Sequence, residues 1–113
     1  MATHRLIVFT ESTPGKEAEY NEWYDQIHLK EVLEIEGFVA AQRFRVADAQ
    51  VAGGDADALA RYLAIYEIEA DSVEVALEKL DASAGSMIMS DALDLDGAKA
   101  FAYTAIGERQ QTL

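Results

Sequence analysis

The sequence predicts an α+β domain of order βαββαβ. Three observations predict it: four short runs of β-branched and aromatic residues, apolar residues at helical spacing between them, and turn formers at the junctions. Two helices on one face of a four-stranded antiparallel sheet give the ferredoxin-like arrangement.

Arg5 to Thr10 is a nearly continuous apolar run and reads as the first strand. Thr13 followed by Pro14 is a helix start, since a hydroxyl accepts from an orphan amide and proline at the first helical position loses nothing. Ala18, Tyr20, Trp23, Tyr24 and Ile27 then share one face, with Glu17, Glu19, Glu22, Asp25 and Gln26 on the other. The pattern continues through Val32 and Leu33 as a second helical turn or a bent continuation, ended by Gly37.

Phe38 to Arg45 is the second strand. Val46 to Ala60 is a Gly-, Asp- and Ala-rich connection expected to be mobile. Tyr62 to Glu69 is the third strand. Asp71 with Glu74 resembles a capping box, Val73, Ala76, Leu77 and Leu80 repeat at helical spacing, and Gly85 is placed to cap the end. After an irregular stretch from Ser86 to Gly97, Ala100 to Ile106 is the fourth strand, and Gly107 to Leu113 is a polar tail expected to fray.

A sheet with helices on one face ordinarily shows a polar, solvated face on the other parity. This one does not. In strand one Leu6 and Val8 oppose Ile7 and Phe9, and in strand three Leu63 and Ile65 oppose Tyr62, Ala64, Tyr66 and Ile68. Two helices cover one of these faces only. The other is a larger apolar patch than monomers tolerate, so a homodimer with sheets packed face to face, a dimeric α/β barrel, is expected.

At 113 residues there is room for one domain, spanning 1–113. Half the residues are apolar, which argues against disorder. Nine Lys and Arg against 21 Asp and Glu leave a formal charge of −12, which repels phosphate backbones and anionic lipids and disfavours nucleic-acid and membrane partners. The absence of cysteine removes thiolate chemistry and disulfides. Met1 to Thr10 lacks the basic and apolar regions of a secretory signal, and no apolar run is long enough to span a bilayer, so a cytoplasmic location is expected.

Of the two histidines, His4 reads as an exposed residue beside Thr3 and Arg5. His28 lies four residues after Tyr24, on the flank of the aromatic stripe. It is either a helix-end residue bonding the last carbonyls or a general acid or base in a pocket between helix and sheet, walled by Trp23, Tyr24 and strand aromatics. Asp25, three residues earlier, either orients the ring or makes a solvated surface contact.

Arg43 either binds a carboxylate or phenolate or pairs with Glu67 or Glu69. Tyr62, Tyr66 and Tyr103 either present hydroxyls or pack with them satisfied locally. The serines lack a nucleophile elbow, the Asp91 to Gly97 loop fails the calcium-loop spacing, and no phosphate-binding glycine loop occurs. No metal and no cofactor is expected.

The segment Tyr20-Asn21-Glu22-Trp23-Tyr24-Asp25-Gln26-Ile27-His28, followed by Gly37-Phe38 and Gln42-Arg43-Phe44, resembles the EthD-like group of dimeric α/β-barrel proteins. The W-Y-x-x-x-H core carries most of the likeness. The resemblance implies a homodimer, a cavity between helices and sheet, and a small hydrophobic, often aromatic or polyketide-like substrate. It also implies cofactor-free chemistry of the oxygenase, cyclase, dehydratase or isomerase type.

It places the group's histidine on His28 and its aromatic pair on Trp23 and Tyr24. Where many members have proline two residues after the histidine, this chain has Lys30. The expected site is therefore His28 and Tyr24 as catalytic groups, with Trp23, Arg43, Tyr66 and Tyr103 against the substrate. A non-catalytic protein that holds a hydrophobic metabolite in the same pocket, or a purely structural assembly subunit, is the competing expectation.

Overall fold

All four strands form in a computed structural model that describes residues 2–55 and 60–113. They are β1 (Ala2–Thr10), β2 (Phe38–Arg45), β3 (Tyr62–Ala70) and β4 (Lys99–Thr104), in one sheet of order β2-β3-β1-β4 with antiparallel neighbours. The helical elements are α1 (Glu17–Trp23), a π-helical turn (Tyr24–His28), α2 (Leu29–Leu33) and α3 (Val73–Ala84). This is the βαββαβ, ferredoxin-like architecture. Residues 56–59 of the connection expected to be mobile lie outside the described residues, and Val46 N–H donates to the Arg61 carbonyl where the connection closes.

The pairing register fixes the two faces. Leu6, Ala64, Tyr66 and Ile68 are buried beneath the helices, together with Tyr20, Trp23, Tyr24 and Val32 from the helical run. On the opposite face Ile7 pairs with Ile65 and with Phe101, while Phe9 pairs with Leu63. The Phe9 and Phe101 rings meet edge to face at 6.4 Å. Among the described residues no element covers this side, where Phe44, Phe101 and Tyr103 remain exposed.

Several expectations about element ends are corrected. β1 begins at Ala2, before Arg5, because His4 is buried: Nε2 donates to the Ala70 carbonyl at 3.1 Å, and Nδ1 lies 2.9 Å from Thr104 Oγ1. The first helix starts at Glu17, since Thr13 is drawn away to the Asp91 and Ala92 carbonyls. Ala18 is exposed.

Ser72, and not Asp71, caps α3 by accepting from Val75 N–H. Gly85 ends α3 with φ −67°, so no left-handed cap forms there, whereas Gly37 turns the chain into β2 at φ +96°. β4 ends at Thr104, after which Ala105 N–H donates to the Thr3 carbonyl and residues 106–113 are exposed. The Cα radius of gyration is 15.2 Å. A compact chain of this length has about 13 Å.

Candidate functional site

The helical run from Glu17 to Leu33 has a π turn where the sequence pattern suggested only a bend. Leu29 N–H donates to the Tyr24 carbonyl, five residues back. In a regular α-helix, side chains five apart point about 140° away from each other. The π turn removes that offset, and the His28 ring stacks on Trp23 with centroids 4.8 Å apart and planes at 20°. Tyr24 meets the same imidazole edge to face at 5.0 Å. Single π turns of this kind recur at functional sites.

Two polar atoms at this point have no hydrogen-bond partner among the described residues. His28 Nδ1 and Glu31 Oε1 are both buried and stand 3.9 Å apart, beyond hydrogen-bonding distance. The other oxygen of Glu31 accepts from Ile88 N–H at 2.9 Å. The Ile88 carbonyl in turn accepts from Trp23 Nε1 at 2.8 Å. The backbone of one residue after α3, Ile88, thus ties together the carboxylate facing the imidazole and the indole stacked on it.

Burial is the main influence on His28 and holds its pKa below 6.5, while the Glu31 carboxylate opposes this by favouring the cation. The neutral imidazole is the prevailing form near neutrality. The side chain keeps 19% of its exposure, none of it at the buried Nδ1. Glu31 also borders a cleft of about 500 Å³ between α2 and α3, together with Ile35, Lys79, Ser83 and Met87.

Behind the histidine lies a nest of tyrosines. Tyr66 OH donates to Tyr24 OH at 3.4 Å, and Tyr20 OH is hydrogen-bonded to Thr10 Oγ1. Burial pushes Tyr24 up to about 12 and raises Tyr66 further, so both remain phenols. The Arg43 guanidinium covers the Tyr24 ring at 4.6 Å and the Tyr20 and Tyr62 rings at 5.1 and 5.5 Å. Its two NH groups donate to Asp25 Oδ1 and Asn21 Oδ1, both at 2.8 Å.

His28, Tyr24, Trp23 and Tyr66 are therefore brought together, and Arg43 joins them through the Tyr24 ring. Arg43 pairs with Asp25, not with Glu67 or Glu69, because it lies opposite Ala64 on the helix side while those two glutamates point to the other face. Glu67 pairs instead with Arg5 at 3.3 Å. Asp25 is consequently engaged with Arg43, and Glu31 is the carboxylate beside His28. Tyr103 is not brought to the cluster: it pairs with Arg5 on the open face and is 61% exposed.

The sequence did contain a signal for Glu31, the i, i+3 spacing from His28. It contained none for Ile88, whose part is played by backbone atoms.

No family model and no curated protein sequence matches the chain. Solved structures do. A proposed monooxygenase from Shewanella loihica PV-4 is 14% identical, with 96% of this chain and 99% of that one covered and a TM-score of 0.59. The haem degrader MhuD from Mycobacterium tuberculosis, described with two haems in its active site, is 15% identical over 95% and 99% of the chains, with a TM-score of 0.55.

A monooxygenase from the gene ActVA-Orf6 of Streptomyces coelicolor, in complex with Nanaomycin D, is 14% identical over 98% and 93%, with a TM-score of 0.54. Likenesses this remote in sequence show the fold: the chain has the ferredoxin-like α+β architecture that the EthD-like resemblance implies. Among the described residues no helix is long and apolar enough to cross a membrane.

Proposed function

We propose that this protein is a small enzyme that moves a proton on a hydrophobic, aromatic or enolisable carbonyl metabolite, with His28 as the general base. The observation that carries the reading is an imidazole clamped against Trp23 and kept neutral by burial, with its buried Nδ1 facing the Glu31 carboxylate. A buried polar group without a partner costs about 1–3 kcal/mol, a cost that persists at sites with a use for the group. A neutral imidazole with a pKa somewhat below 7 is suited to accepting a proton near neutral pH.

In the proposed step the C–H bond beside a substrate carbonyl breaks, His28 takes the proton, and the electron pair moves onto the carbonyl oxygen. Trp23 supplies an apolar wall. Tyr24 and Tyr66, both protonated, back the imidazole and are the candidate partners for the developing oxyanion. Proton transfer itself needs no cofactor. Isomerisation, dehydration, cyclisation or reaction with oxygen all proceed from such an enolate, and the cytoplasm is the proposed setting.

The test is solvent deuterium wash-in, followed by NMR, across a panel of aromatic and enolisable ketones. The expected outcome is exchange by the wild-type protein and a loss of 10²-fold or more in His28→Gln, within the usual range for a general base. Binding of these compounds with no exchange would overturn the enzyme reading in favour of a metabolite-binding protein.

The same proposal includes a homodimer. The uncovered face carries Ile7, Phe9, Phe44, Leu63, Ile65 and Phe101, and an identical sheet is a self-complementary cover for it. Sedimentation at micromolar concentration should give twice the 12.4 kDa of the chain, and a 12.4 kDa species would refute it.

A further inference from the structure

We propose that Glu31 is the positioning residue of His28: its carboxylate holds the proton of the neutral imidazole on Nδ1 and leaves Nε2 as the basic nitrogen. This rests on the reading of His28 as the proton acceptor and specifies which of its two nitrogens acts.

The geometry is that of a carboxylate placed for an imidazole and fixed from behind. Glu31 Oε2 is held by Ile88 N–H at 2.9 Å, which leaves Oε1 directed at His28 Nδ1. Both facing atoms are buried and, among the described residues, neither has a hydrogen-bond partner, so each is placed to satisfy the other. A carboxylate accepts and does not donate, so a hydrogen bond between them requires the proton on Nδ1. The two atoms stand 3.9 Å apart, too far to hydrogen-bond as they are, and a side-chain rotation is required to bring them together. Catalytic hydrogen bonds are commonly long before a substrate is bound.

The ring itself cannot easily turn away. Trp23 stacks on one face, Tyr24 meets its edge, and the indole is pinned by the Ile88 carbonyl. The backbone N–H and carbonyl of Ile88 therefore fix the orienting carboxylate and the wall, so movement of the segment after α3 displaces the two together.

The charged groups around His28 are few. Glu31 is the one on its own helical run whose field acts on it. Ser86, Met87, Ile88, Met89 and Ser90 of the packed segment carry no charge, and Asp91 beyond them is paired with Lys16 at 2.9 Å. Tyr24 and Tyr66 on the core side remain neutral. Arg43 is occupied by Asp25.

Ring-nitrogen NMR on uniformly ¹⁵N-labelled wild-type protein tests the assignment directly. His28 is distinguished from His4, whose ring nitrogens both have hydrogen-bond partners, by loss of its signals in His28→Gln. At a pH above its titration, His28 should show the protonated-nitrogen shift at Nδ1 and the lone-pair shift at Nε2. An Nε2–H tautomer in the wild type would overturn the proposal.

Glu31→Gln keeps an oxygen for Ile88 N–H, removes the charge, and should lower the His28 pKa and mix the two tautomers. An unchanged pKa and tautomer in that variant would also overturn it. These readouts do not involve turnover. A positive result here together with full deuterium exchange by His28→Gln would sink the reading of His28 as the base while leaving the tautomer assignment standing.

Discussion

The rings of Trp23 and His28 stack at 4.8 Å with planes 20° apart although they are five positions apart in the chain, a contact that a regular α-helix disfavours and the π turn permits. Trp23 is also a hydrogen-bond donor to the Ile88 carbonyl, so stacking and strap depend on one side chain. Trp23→Phe keeps an aromatic wall but leaves that carbonyl without its donor, at an expected cost of about 1–3 kcal/mol. Trp23→Ala removes the wall as well and should cost about 3–5 kcal/mol. Urea unfolding of the two variants checks both. Equal costs would mean that the indole contributes its N–H alone.

A second expectation concerns pH. Burial lowers the folded-state pKa of His28 below its ordinary 6.5, so the unfolded chain binds that proton more readily than the folded one. The associated stability is fully present above the unfolded pKa and is lost as pH falls from about 6.5 through the lowered folded value. Wild-type stability should therefore decline between pH 7 and pH 5 by an increment that His28→Gln lacks. Parallel profiles for the two proteins across that window would show that burial does not disfavour the cation.

Strand faces and element order were legible because period-two alternation is local and each face has one fate. Ile7 and Phe9 against Leu6 and Val8 announced an uncovered side before any coordinate was known, and the pairing register bears out that division. The π turn was not legible. It is a one-residue slip in backbone bonding with no residue type of its own, and on a regular helical projection Trp23 and His28 point well apart. The polarity of His4 suggests exposure, whereas both its ring nitrogens find partners across the sheet and the residue is buried. Asp25 and Glu31 are equally spaced from His28 along the chain, and only the placement of Arg43 decides between them.

Arg43 illustrates what that placement achieves. Its guanidinium donates to Asp25 and Asn21 while lying over three tyrosine rings, a combination that requires a planar fork. Lysine supplies a point charge and no plane. Arg43→Lys should therefore destabilise the protein by about 1–3 kcal/mol. Asp25→Ala, which removes a half-exposed carboxylate, should cost about 1 kcal/mol or less. If lysine were tolerated as well as that alanine, the three-ring contact would be incidental packing.

Phe101 tests the open face. It sits on the edge strand β4, is 49% exposed in the single chain, and touches only Phe9 among the described rings. Replacing it inside one chain removes little packing, so Phe101→Glu should leave the monomer folded. In a sheet-to-sheet dimer the same substitution buries an unpaired carboxylate at the two-fold interface, once from each copy, and an unpaired buried charge is strongly disfavoured. The expected result is a native circular dichroism spectrum with sedimentation shifted to 12.4 kDa. A variant that stays dimeric would show that the contact between copies lies elsewhere. Phe101→Leu is the control: it keeps the face apolar and should sediment with the wild type.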